Sequence, residues 1–303
     1  MRTHRDTRRR RFAHALLFVA PALWSANLLV ARWSAEWFPP HALAFWRWLI
    51  ALAPMLVLYG GVLWRERAQM RREWADLLVL GALGMWICGA FVYVGGRTTT
   101  ATNIGLIYAG VPVLIMLMAA IAFRERLTGA QATGATIALA GVLTIVLKGD
   151  PGTLARLDFV VGDLWVATAA FCWAVYSIWL RRRPSKLDPL TRLAAITAAG
   201  VIVLAPLTAI ESFAVGVPAL EWRTVAAALI VGLLPGFGAY QAWSWLIREI
   251  GPSRTSLILY LTPVYTAFLA WLLLGETPHW YHGLGAALAF SGLYLAYRAA
   301  PRT

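Results

Sequence analysis

The chain has 303 residues, 60% of them apolar and 14% charged, with 27 Lys and Arg against 14 Asp and Glu for a net charge of +13. An ordinary soluble domain is about half apolar and a quarter charged, so the composition points to an all-α membrane protein and leaves no room for a soluble domain. Two cysteines, Cys88 and Cys172, both inside apolar runs, imply neither a disulfide framework nor a metal motif.

Residues 1–11 form a basic N-terminus carrying six arginines. With the apolar run after it, "MRTHRDTRRRRFAHALLFVAPALWSA" mimics a secretory signal. A retained first helix is expected instead, because its removal breaks the charge alternation along the chain. Ten spans follow, at roughly 12–31, 40–62, 75–96, 99–123, 127–147, 159–180, 188–210, 222–246, 253–274 and 280–298. A helix rises about 1.5 Å per residue, so runs of about 20 residues match a hydrocarbon core of about 30 Å. Barrel strands are excluded, because the runs do not alternate. The loop at 148–158, "KGDPGTLARLD", is expected outside the cell and the C-terminus, 299–303, inside.

The positive charge first points to nucleic acid, but its distribution does not. With the N-terminus in the cytoplasm, the inside segments hold 20 Lys and Arg. These are the six N-terminal arginines, four in 63–74, two in "RER", four in "RRRPSK", and Arg248, Arg254, Arg298 and Arg302. The outside segments hold five: Arg32, Arg97, Lys148, Arg156 and Arg223. That bias is the positive-inside signal. The charge is spent on orientation and on attraction to anionic lipid, and no basic face is left for nucleic acid.

The sequence repeats itself. At an offset of 151, Pro112, Glu125, Gly134 and Gly141 recur as Pro263, Glu276, Gly285 and Gly292. Over 106–143 the match is 10 identities in 38. A repeated sequence reads as a repeated structural unit, here 12–147 and 159–298. Each unit holds five spans, an odd number, so the second enters the membrane from the opposite side. "FRERL" is accordingly inside, while its partner "LGETP" is outside and has lost both arginines. Inverted-topology repeats characterise secondary transporters, with a substrate site near the membrane midplane where the halves meet.

This paired P–E–G–G frame, together with "ALWSANLLVAR", "FWRWLIAL" and "AFCWAVYSIWLRR", resembles the drug/metabolite transporter superfamily. The similarity is greatest to its EamA-type ten-helix exporters, including those of aromatic amino acids. The resemblance covers essentially the whole chain. It implies ten helices, cytoplasmic termini in the cell inner membrane and a central cavity lined by both halves. It does not single out a cargo, since related proteins export amino acids, nucleotide sugars, drugs and other metabolites. Arg124 and Arg126 flank Glu125, but Gly275 and Thr277 flank Glu276, which argues against a symmetric role for the two glutamates. Each is expected to cap the following helix or pair with a loop arginine. Pro112 and Pro263 lie inside their spans and are expected to kink them, either to gate the cavity or to fit a curved bundle. The glycines are expected to pack helices closely.

Sixteen tryptophans are present. Trp33, Trp37, Trp64, Trp74, Trp222, Trp245 and Trp280 fit interfacial belts. Trp24, Trp86 and Trp173 fall near the middle of their spans and do not. Trp86, Tyr93 and Arg97 share a face of the third span, Trp173 and Tyr176 of the sixth. Gly232, Gly236, Tyr240 and Trp243 share one of the eighth, and Tyr260 and Trp271 one of the ninth. A mid-membrane Trp or Tyr needs a partner for its N–H or O–H and so faces protein or cavity. The expected cavity lining is therefore Trp24, Trp86, Tyr93, Asn103, Tyr108, Trp173, Tyr176, Tyr240, Gln241 and Tyr260, with ordinary packing as the alternative for each ring. Arg47 lies seven residues inside the second span with no helix-centre acid to pair with. It is expected to snorkel to the outer interface about 10 Å away; holding a substrate carboxylate is the alternative.

Apolar faces with rings and few charges suit export of small metabolites by alternating access, with aromatic and other neutral amino acids as the expected cargo. A broad exporter of drugs or hydrophobic cations is the alternative, disfavoured by the lack of a buried acid. A membrane enzyme is not expected, since HExxH, GxSxG, a P-loop and a clustered acid pair are all absent, and no cofactor is expected. "HWYH" at 279–282 reads as an interfacial patch rather than a metal site. Asp163, Glu211 and Glu276 lie near span ends, which leaves proton antiport and uniport both open. The expected partners are the small-molecule substrate and membrane lipid. The glycine faces serve packing between repeats as readily as dimerisation.

Overall fold

The computed structural model describes residues 2–125 and 128–298. Arg126, Leu127 (where the fifth span is expected to begin) and the C-terminal 299–303 lie outside the described residues. Ten helical spans run in chain order: α1 Arg2–Ser34, α2 Pro40–Arg65, α3 Trp74–Gly95, α4 Ala101–Phe123, α5 Gly129–Val146, α6 Val161–Arg182, α7 Pro189–Val215, α8 Trp222–Ile250, α9 Pro252–Leu273 and α10 Trp280–Arg298. The eight from α2 to α9 are long and apolar enough to cross a bilayer. In α1 the apolar stretch is the shorter Ala15–Ala31. In α10 the length is present, but Gly283, Gly285, Ser291 and Gly292 dilute its apolar residues.

The repeated glycines hold the two halves together. A Cβ on Gly134 would stand 2.5 Å from the Gly292 carbonyl oxygen and 2.6 Å from Ala296 N. One on Gly141 would stand 2.6 Å from the Gly285 oxygen and 2.7 Å from Ala289 N. Gly134 thus meets the repeat partner of Gly141, and Gly141 meets the repeat partner of Gly134. Such reciprocal pairing is the mark of a two-fold axis, and its descending register makes α5 and α10 antiparallel. Helices α2 and α7, also repeat counterparts, pack on each other as well. The remaining contacts come in matched sets. Helix α3 packs on α6 and α7 as α8 packs on α1 and α2, while α4 packs on α6 as α9 packs on α1. The molecule is an all-helical membrane protein of two inverted five-helix repeats.

Both halves break regular helix at equivalent places. In α3 the turn Ala82–Ile87 widens to π geometry, and in α8 Gly232–Ala239 does the same 150 residues on. Pro235 accounts for the second, because it has no N–H and its ring would collide with the carbonyl four residues back. The first contains no proline. There, tertiary contacts press on the turn: a Cβ on Gly81 would lie 2.6 Å from Gly200 N, and one on Gly84 would lie 2.8 Å from the Tyr176 ring. Pro112 and Pro263 sit at the second position of new helical segments, Val111–Phe123 and Thr262–Leu274. Gly110 precedes the first of these, and the 3₁₀ stretch Leu257–Leu261 precedes the second.

Loops also tie the halves. Thr128 caps α5 in a capping box with Gln131, so Glu125 is free for other work. Its Oε1 pairs with Arg181 Nη1 at 3.2 Å and its Oε2 accepts from Ser253 Oγ at 2.5 Å. Of the two expected roles, Glu125 therefore takes the ion pair, with an arginine in the last turn of α6. At the other end, Glu211 of α7 caps the N-terminus of α2. It accepts from His41 N at 3.1 Å and Ala42 N at 2.8 Å, with His41 Nδ1 3.0 Å away. The loop at 148–158 folds a 3₁₀ turn at Pro151–Arg156 held by Asp150.

Between the α2–α3 and α6–α7 loops, Glu73 accepts from Ser185 Oγ at 2.6 Å and Gln69 Nε2 at 2.5 Å, with Lys186 N 3.4 Å away. Burial pushes its pKa up, but these donors and the charge of Arg192 outweigh that and hold it below the ordinary 4.5. A lowered carboxyl pKa contributes stability above the ordinary value, and that contribution disappears as pH falls through the lowered one. Two outcomes are expected in thermal unfolding of detergent-solubilised protein. The Tm of Glu73→Gln lies below wild type at pH 7, and the gap closes as pH falls below about 4.5. Gly141→Ala loses about 1–3 kcal/mol through backbone overpacking. Gly60→Ala, at a site with open space around the added methyl, is neutral or gains about 0.5–1 kcal/mol.

Candidate functional site

Two of the three mid-membrane tryptophans, Trp24 and Trp173, converge. Trp24 on α1 meets Trp173 on α6 at 5.6 Å between ring centroids, and Tyr240 and Trp243 on α8 at 6.1 and 5.2 Å, all edge to face. Trp173 stacks on Tyr176, one turn along α6, at 5.3 Å. It also lies 5.2 Å from Tyr240 and 5.0 Å from Trp243. Trp48 on α2 stands edge-on to Tyr240 at 4.7 Å. Six rings from four helices thus form one cluster that joins the halves. Trp48, Tyr176 and Trp243 are wholly buried, and Tyr240 and Trp173 nearly so. Edge-to-face and offset geometries are those the ring quadrupoles favour.

The π turn of α3 supplies the polar partners of two of these rings. A widened turn leaves carbonyls without their usual donors, and such turns recur at functional sites. In α3 the Gly84 carbonyl accepts from Tyr240 OH at 3.0 Å, and the Met85 carbonyl accepts from Trp48 Nε1 at 2.8 Å. Gly89 makes room for Trp48, since a Cβ there would stand 2.8 Å from Nε1. The Trp243 Nε1 atom is buried without a hydrogen-bond partner.

Arg47 corrects the snorkelling expectation. It is 3% exposed and turns inward. Its Nη1 donates to Asn27 Oδ1 at 3.1 Å and to Tyr93 OH at 3.3 Å, and Tyr93 OH donates to Asn27 Oδ1 at 2.6 Å. Its guanidinium lies 4.7 Å from the Trp48 ring centroid and 5.8 Å from that of Tyr240. Neutral polar groups and ring faces, from α1, α3 and α8 as well as its own helix, surround it, so reaching the interface is unnecessary.

The other expected lining residues are dispersed. Asn103 is tied by its Nδ2 to both Asp163 carboxylate oxygens, at 3.1 and 3.0 Å, and to the Asp158 carbonyl. Trp86 stacks edge-on to Phe91, and its Nε1 is buried without a partner. Tyr108 packs half-buried against the main core. Gln241 Oε1 accepts from Tyr59 OH at 3.1 Å. Tyr260 belongs to a second apolar cluster, with Met116, Val142 and Leu293 among its members. Trp24, Trp173, Tyr176 and Tyr240 are brought together, with Tyr93 linked through Arg47. Trp48 was missed, although its place beside an intramembrane arginine was a signal. Trp243 was seen on the Tyr240 face, but its central position was not.

The expected central cavity is filled by these rings in this conformation. Open space lies to either side of them. One cavity of about 240 Å³ is bounded by the end of α6, the start of α7 and the end of α8, and includes Arg181, Arg192, Ser244 and Arg248. The other, about 290 Å³, is at the opposite ends of the helices, between Asn103, Leu106 and Ile107 of α4 and Leu154, Leu157 and Phe159. Among the described residues, no group of His, Cys, Asp and Glu is placed to hold a metal ion.

Comparison with known proteins agrees with this architecture. A solved crystal structure matches with a TM-score of 0.76 at 23% identity, over 96% of this chain and 98% of that one. Transporter YyaM of Bacillus subtilis, uncharacterized, is 29% identical over 89% of this chain and 88% of its own length. An uncharacterized transporter of Archaeoglobus fulgidus is 28% identical over 93% and 96%. A probable terminal-alkyne amino-acid exporter of Streptantibioticus cattleyicolor is 25% identical over 92% and 94%. The profile of the EamA-like transporter family matches twice, at residues 11–147 and 160–298. Two inverted repeats that meet at a buried aromatic centre, each matched by that profile, mean that the chain belongs to the EamA-like transporter family of the drug/metabolite transporter superfamily and is a multi-pass secondary transporter, not an enzyme.

Proposed function

We propose that the protein exports small metabolites across the cell inner membrane by alternating access, with aromatic and other neutral amino acids as cargo. In this reading both termini are cytoplasmic, as the positive-inside bias requires. The carrying observation is the six-ring cluster where the halves meet. Its ring faces and edges match a cargo that has a ring of its own, and its helices come from both repeats, so relative rocking of the repeats opens it to either side. The relative in Streptantibioticus cattleyicolor, named for amino-acid export, supports the same cargo class. The prolines Pro112 and Pro263 open new helical segments within α4 and α9, and in the proposed cycle these breaks serve as gates. The Glu125–Arg181–Ser253 tie is then a closed cytoplasmic latch.

Counterflow tests this reading. Proteoliposomes loaded with unlabelled phenylalanine are expected to accumulate labelled phenylalanine saturably, while empty liposomes do not. Trp173→Ala, which deletes the ring at the centre of the cluster, is expected to weaken half-saturation by roughly threefold to tenfold. Folded, reconstituted protein that exchanges none of phenylalanine, tryptophan, threonine or methionine overturns the cargo assignment.

A further inference from the structure

Among the described residues, no acidic side chain pairs with the charge of Arg47. A guanidinium keeps its proton in proteins, and an unpaired charge buried in a membrane is costly. Its hydrogen-bond partners, Asn27 and Tyr93, are neutral. The rings of Trp48 and Tyr240 offer their faces but no formal charge. Its Nε is buried without a partner. Helix α8 approaches α2 closely beside this residue: a Cβ on Gly232 would lie 2.6 Å from Ile50 Cγ2 and 3.1 Å from the Arg47 carbonyl oxygen, and one on Gly236 would lie 3.1 Å from Ala51 Cβ. Both glycines belong to the π turn of α8. The second repeat thus lies directly against the stretch of α2 that carries Arg47.

We propose that Arg47, assisted by Asn27 and Tyr93, is the subsite for a carboxylate of the cargo, whose apolar body lies against the ring cluster. A carboxylate supplies the missing counter-charge and can accept two parallel bonds from a guanidinium edge, the pairing for which this group is shaped. The free Nε is half of such an edge. No Asp or Glu takes part in the ring contacts, cation–ring contacts or hydrogen bonds of this set, so no acid there binds an ammonium. The recognised class is therefore the apolar, ring-bearing monocarboxylate, with an α-amino group tolerated rather than read. Nε is covered in this conformation, so loading requires the surrounding rings to part. This inference rests on the export of aromatic amino acids proposed above, and narrows what in them is recognised.

Competition on wild-type protein tests it. In phenylalanine counterflow, 3-phenylpropionate is expected to compete comparably with phenylalanine, and phenethylamine at least about tenfold more weakly. Equal competition by phenethylamine overturns the proposal. A second measurement needs no transport: thermal stabilisation of the purified full chain in detergent by the same two probes. Stabilisation by 3-phenylpropionate is expected, at concentrations raised at least about tenfold in Arg47→Gln. Arg47→Lys, which keeps the charge but not the fork, is expected to fall between. Stabilisation by neither probe, or by phenethylamine equally, overturns the subsite. Absent counterflow with selective, Arg47-dependent stabilisation by 3-phenylpropionate removes the amino-acid cargo and keeps the carboxylate site.

Discussion

Lipid tails are as apolar as leucine side chains, so helices in a bilayer gain little by hiding leucine from their surroundings. Backbone contact gives them another reason to associate, and here that contact is the seam between α5 and α10. Gly134 and Gly141 of one meet Gly292 and Gly285 of the other so closely that a methyl on any of them would overlap its neighbour. The seam is antiparallel and reciprocal, and so relates the two repeats by a two-fold axis. The other inter-repeat contacts follow that axis in matched sets, and both π turns obey it. A shift along the seam would carry all of these out of register together.

The π turns turn symmetry into a site. In hydrocarbon an unsatisfied carbonyl costs several kcal/mol, so each freed carbonyl demands a donor. In α3 the donors are a tryptophan N–H and a tyrosine O–H, which arrive from α2 and α8 with their rings. The need to satisfy backbone thereby fixes the orientation of two aromatic side chains, and those two fix others by edge-to-face packing. The second π turn is used differently. Its glycines let α8 come close to α2 at Ile50 and Ala51, about one turn on from Arg47. One local distortion, repeated by duplication, supports a ring platform in one half and a close approach of helices in the other.

Much of the fold was legible because it rests on two robust signals. Runs of about 20 apolar residues mark spans whatever their neighbours, and a fixed offset of 151 between identical residues marks a repeat. The packing role of the glycines followed from their spacing. What could not be read was anything depending on partners distant in sequence. Arg47 sits about two turns inside α2, close enough to an interface to snorkel. Its inward turn is decided by Asn27, Tyr93 and Tyr240 on three other helices. The π turn in α3 has no proline and arises from Gly200 and Tyr176, both of the other repeat. In α8 the signal was visible as Pro235 amid glycines, yet one extra residue in a turn scarcely disturbs an apolar run. The roles of Glu125 divide in the same way: Thr128 and Gln131, adjacent in sequence, settle the cap, while the arginine that takes the carboxylate comes from the other half.

The ring cluster also constrains how such a molecule can move. Four of its pairs cross between repeats: Trp24 with Trp173, Tyr240 and Trp243, and Trp48 with Tyr240. Each is worth about 0.5–1.5 kcal/mol beyond simple burial, so parting the repeats forfeits on the order of a few kcal/mol. The hydrogen bond from Tyr240 to the Gly84 carbonyl crosses the same boundary. An empty carrier therefore resists opening at its centre. A ring-bearing cargo offsets that loss by offering its own face and edges to Trp24 and Trp173 as they separate. In the proposed cycle the cluster is thus both barrier and binding surface, and the free-energy difference between the empty and loaded carriers resides in the same set of rings.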